Sequence, residues 1–85
     1  MNKEDFTKFT LEFEEKHQHF FSYDVGNTFY EVSLLFKVPQ SYCRKAVVSC
    51  ASLEDVESIL NEAKETGYYL GHRTYEKKLL EHIHN

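Results

Sequence analysis

Of the residues that bend, punctuate or cross-link a chain, these 85 residues hold only three glycines, one proline and two cysteines. The glycines at 26, 67 and 71 suit two turns and one bend, and leave none for a phosphate-cradling or oxyanion loop. Cys43 and Cys50 are seven apart. On one strand that odd offset puts them on opposite faces, so they do not bridge each other. No apolar run is long enough to cross a bilayer, and no basic patch with an apolar stretch opens the chain. Free thiols without an export signal predict a reducing, cytoplasmic setting. Repeats, low-complexity tracts and linkers are also missing, so one compact domain over 1–85 is expected.

Acidic residues exceed basic ones, for a net charge of −4. The excess is uneven. Residues 1–24 carry six acids against three bases, and residues 51–66 carry five against one. Residues 25–50 and 67–85 lean basic, with three bases each against one and two acids. An acidic balance argues against unaided binding of DNA or RNA, where cations supply most of the affinity.

Thirteen aromatics, seven Phe and six Tyr, dominate the apolar content. Phe6, Phe9, Phe13, His17 and Phe20 follow helical spacing and predict a helix over about 3–17, with Leu11 off the stripe. Phe21, Tyr23 and Val25 alternate up to Gly26-Asn27, and Tyr30, Val32, Leu34, Phe36 and Val38 alternate away from it. A two-residue hairpin there sets Tyr23 against Tyr30 and Phe21 against Val32. A three-residue turn at Pro39-Gln40-Ser41 pairs Val38 with Tyr42, Phe36 with Arg44, Leu34 with Ala46, Val32 with Val48 and Tyr30 with Cys50. Only Arg44 breaks the inward set.

Ser52 can cap a second helix with Asp55 at the reciprocal position. Leu53, Val56, Ile59, Leu60 and Ala63 form its stripe, and Gly67 ends it. Tyr68-Tyr69-Leu70 reads equally as a link or as a first helical turn. Thr74 can start a third helix carrying Tyr75, Leu79, Leu80 and Ile83. The expected fold is α+β in the order α-β-β-β-α-α, a three-stranded antiparallel sheet packed with helices.

Motifs with chemistry are weak. His17-x-His19 and His82-x-His84 have metal-ligand residues, but His82 and His84 would diverge by about 200° on a helix, and His17-x-His19 straddles a helix end, where geometry is free. No metal and no cofactor are expected. Cys43 beside a histidine would be the cheapest nucleophile, yet nothing orients the pair. Ala63 and Gly67 have helix-turn-helix spacing, but Arg73 and Glu76 stand where that motif wants apolar residues. The α-β-β-β-α portion has the element order of double-stranded-RNA-binding domains, whose second helix starts basic. Here it starts Leu53-Glu54-Asp55.

The expected function is therefore non-enzymatic: an interaction module or inhibitor docking on a larger partner with a basic surface. The partner-binding candidates are Glu54, Asp55, Glu57, Glu62 and Glu65 on the acidic helix, and Phe20, Phe29 and Leu35 on the strand face away from the core. That face is open only if the first helix does not cover it with Phe6, Phe9 and Phe13, and a three-layer sandwich is the expected arrangement. In length, acidity and element order the chain resembles some phage-encoded anti-CRISPR inhibitors, which occupy the nucleic-acid-binding surface of a Cas nuclease. That likeness of layout implies a partner that itself binds nucleic acid. The alternatives are a nucleic-acid-associated regulator using Arg44, Lys45, Arg73, Lys77 and Lys78, and a small Cys/His-dependent enzyme.

Overall fold

Helix α1 spans Lys3–His17 in the computed structural model, which describes residues 2–18, 28–38 and 42–78. Asn2 caps it, its Oδ1 accepting the Asp5 N–H at 2.8 Å, which satisfies one of the donors a helix start leaves unpaired. Strands β1 (Thr28–Lys37) and β2 (Cys43–Cys50) follow, then helix α2 (Leu53–Glu65) and strand β3 (Tyr69–Lys78). Ser52 caps α2 by accepting the Asp55 N–H at 3.2 Å. Beyond the Thr66 cap the chain turns at Gly67, whose φ of 78° is one that a side chain would resist.

The three strands form one antiparallel sheet in the order β2-β1-β3. The β1–β2 register is the expected one, from Tyr30–Cys50 through Leu34–Ala46 to Phe36–Arg44. Val38 N–H donates to Tyr42 O at 3.0 Å and closes that hairpin. The turn at Pro39-Gln40-Ser41 lies outside the described residues.

The α+β class and the three antiparallel strands hold, but the element order is corrected. Residues 74–78, expected in a helix, belong to β3. The third strand of the sheet is thus 69–78. The expected Tyr23–Tyr30 and Phe21–Val32 pairings do not fit β1. Tyr30 already lies between Cys50 and Glu76, and Val32 between Val48 and Thr74. Residues 19–27, with the Gly26-Asn27 turn, lie outside the described residues, as do 79–85. The likeness to anti-CRISPR layouts loses its element-order component with this change.

Both helices pack on the same face of the sheet. Phe36 of β1 meets Phe6, Phe9 and Phe13 of α1 with ring centroids 6.5, 6.0 and 5.5 Å apart, all edge-on. Val32, Leu34, Ala46, Val48 and Cys50 join Val56, Ile59 and Ala63 in the same core. The three-layer sandwich is thereby overturned: α1 shares the face used by α2 and leaves the other without a helix among the described residues. An amphipathic stripe shows that a helix buries one side, not which face of a sheet receives it.

One further contact fixes α1. Glu14 Oε1 accepts the Val47 N–H at 3.0 Å, so the helix supplies an acceptor to β2, the sheet's outer strand on that side. Leu53, expected in the α2 stripe, is 59% exposed. It stands at the first helical position, and spacing defines an angle around the axis rather than how far the sheet extends beneath it.

Candidate interaction surface

Strand alternation assigns the face that is bare of helices among the described residues. With Val32, Leu34 and Phe36 in the core, the intervening positions of β1 point away from the helices. The register then aligns Glu31 with Ser49 and Tyr75, Ser33 with Val47 and Arg73, and Leu35 with Lys45 and Gly71. Lys37 pairs with Cys43 at one end and Phe29 with Lys77 at the other.

Three large apolar side chains are exposed around one groove on this face: Leu35 at 42%, Leu70 at 53% and Tyr75 at 41%. The groove has a volume of about 400 Å³ and is bounded also by Ser33, Lys45, Gly71 and Arg73. Two local features shape it. A bulge between Leu35 and Phe36 shifts the partner from Gly71 to Tyr69, so Leu70 is the extra residue and reaches the groove. Gly71, beside Leu35, leaves a gap: a Cβ there would meet nothing within 4 Å.

The face is also cationic. Among the described residues, Lys37, Lys45, Arg73 and Lys77 share it with one carboxylate, Glu31, which accepts from Lys77 Nζ at 3.1 Å. The Arg73 guanidinium lies 5.5 Å from the centre of the Tyr75 ring. Basic and acidic surfaces are thus on opposite sides of the sheet.

The other expected site residues are dispersed. Phe29 is on the bare face but only 5% exposed, so it offers no docking surface. Phe20 lies outside the described residues. Glu54, Glu57 and Glu65 are exposed on α2 and Asp55 is half-buried. Glu62 is committed within the fold. Its Oε1 accepts from Lys16 Nζ at 2.6 Å, and its Oε2 lies 2.7 Å from His17 Nε2. The histidine contact has ion-pair distance without hydrogen-bond geometry. The Lys16 hydrogen bond, aided by His17, holds the Glu62 carboxyl below its ordinary range.

Of the cationic set, Lys45, Arg73 and Lys77 come together on the bare face. Arg44 faces the helices, where its Nε donates to Thr10 Oγ1 at 2.6 Å. Lys78 pairs with Thr28, out of step with the bare-face positions. Cys43 is exposed and Cys50 buried, on opposite faces as the odd offset requires. Burial, with Asp55 nearby, pushes the Cys50 thiol up to about 11. Such a thiol is a poor nucleophile at neutral pH. Among the described residues no three His, Cys, Asp or Glu side chains converge as metal ligands, and no helix is long and apolar enough to cross a membrane.

Sequence parity found Leu35 on this face. It missed Leu70, whose position depends on the bulge, and Tyr75, read as helical. Comparison with known proteins finds no matching family model, no matching curated protein and no matching solved structure.

Proposed function

We propose that this chain is a non-enzymatic interaction module that docks on a larger protein through its bare sheet face. One observation carries the reading. Leu35, Leu70 and Tyr75 surround a single groove rather than being scattered, and clustered exposed apolar groups with a polar rim mark binding surfaces. Free thiols at Cys43 and Cys50 support a reducing, cytoplasmic setting. Helix α2, the first expectation for a basic partner, has less support, because Glu62 already serves Lys16 and His17.

A nucleic-acid reading is favoured by one feature, the presence of Lys45, Arg73 and Lys77 on the same sheet face as Tyr75. A basic face with an exposed ring is the general form of a single-strand platform. Among the described residues, however, Tyr75 is the one exposed ring on that face, and the groove beside it is walled by Leu35 and Leu70.

Site-specific photo-crosslinking in the native cell tests the protein reading. A photoreactive residue at Leu35 or Leu70 should yield a discrete protein adduct, and one at Glu57 should not. Adducts from Glu57 alone, or none from any position, would refute it.

A further inference from the structure

We infer that the groove takes an acidic peptide segment carrying an aliphatic side chain, contributed by another protein; this rests on the bare face being the docking surface. Charge complementarity and shape carry the inference together. Lys45 and Arg73 flank the groove, and the same face holds four cations against Glu31, which Lys77 already engages. Among the described residues no carboxylate pairs with Lys45 or Arg73, so both can receive carboxylates from a partner. Between them the groove is apolar, walled by Leu35 and Leu70. Gly71 leaves open the volume that an incoming side chain would fill.

The same details weigh against a nucleic-acid strand. Base stacking needs an open aromatic face, and the Tyr75 ring already has the Arg73 guanidinium over it.

The test is an NMR titration of the intact chain with a peptide of alternating Glu and Leu. Three controls run beside it: a Lys/Leu peptide, a Glu/Ser peptide and a single-stranded oligothymidine. The Glu/Leu peptide should bind saturably and shift the amides of Leu35 and of residues 70–73, and the controls should not. Lys45→Gln with Arg73→Gln removes charge without reversing it, and should weaken binding by about tenfold. Lys45→Glu with Arg73→Glu should abolish it, with core amide shifts reporting that the fold persists. Absence of saturable binding, oligothymidine binding as tight as the peptide's, or shifts confined to α2 would each overturn the inference. Lys/Leu binding at Leu35 would also overturn it, by reversing the required charge, while leaving the bare face as the docking surface. In that case the crosslinks from Leu35 and Leu70 would still form.

Discussion

Arg44 Nε donates to Thr10 Oγ1 at 2.6 Å, joining β2 to the middle of α1. Thr10 is fully buried, and its hydroxyl is placed to donate to the carbonyl of Phe6 or Thr7, at 3.2 and 2.9 Å. The Thr10 oxygen thus accepts one of the five guanidinium N–H groups of the cation that faces the helices from the hairpin. The arrangement explains why Arg44 is tolerated among apolar neighbours, since a buried polar group costs little once paired.

Thr10→Val keeps the volume and removes that acceptor. It should destabilise by about 1–2 kcal/mol, the usual cost of leaving a donor unpaired in a part-buried site. Adding Arg44→Met should recover part of the loss, because removing both partners costs less than removing one. Urea denaturation of the single and double variants checks both. An unaffected Thr10→Val variant would mean that Arg44 finds water instead.

Ile59 is the largest side chain that α2 buries fully in the core, while Leu60 is only half-buried against it. Ile59→Ala should therefore destabilise by about 2–5 kcal/mol, a large share of a small domain's stability. Leu60→Ala should cost less than half as much. The ranking, read from denaturation midpoints, would be reversed if Leu60 were the anchor of the helix.

Glu62 links α2 to the end of α1 through Lys16 and His17. Its carboxyl titrates below the ordinary value of 4.5 in the folded chain. A carboxylate held down in this way stabilises fully above its unfolded pKa, and that contribution fades as pH falls through the lower folded one. Glu62→Gln should cost at most about 1 kcal/mol near neutrality, since water screens a partly exposed pair. The gap between variant and parent should close below pH 4.5. A gap that persisted at lower pH would assign the effect to packing rather than charge.

Much of this architecture is legible in the chain. The bounds of α1 and α2 and the β1–β2 register follow from local signals: apolar periods, a Ser cap and a three-residue turn. Strand β3 is not legible for a physical reason. Residues 69–78 place few apolar groups on either face, with Leu70, Arg73, Tyr75 and Lys78 all exposed. What makes them a strand is pairing with β1, a long-range interaction that no local period records. The Leu79-Leu80 pair beyond them extends a helical stripe instead. The candidate surface was half legible. Parity places Leu35 on the solvent side, whereas Leu70 depends on a bulge and the openness of the face depends on where α1 packs.

The most direct measurement is the crosslinking yield from Leu35 in a Gly71→Val background. A Cβ at Gly71 meets nothing within 4 Å, and replacing a strand glycine should hold or raise stability, by up to about 1 kcal/mol. The fold should therefore survive while the groove is filled. Docking through the bare sheet face predicts loss of the Leu35 adduct with an unchanged or higher melting temperature. An adduct formed at full yield by the folded variant would contradict it, and the groove between Leu35, Leu70 and Tyr75 would not be the docking site.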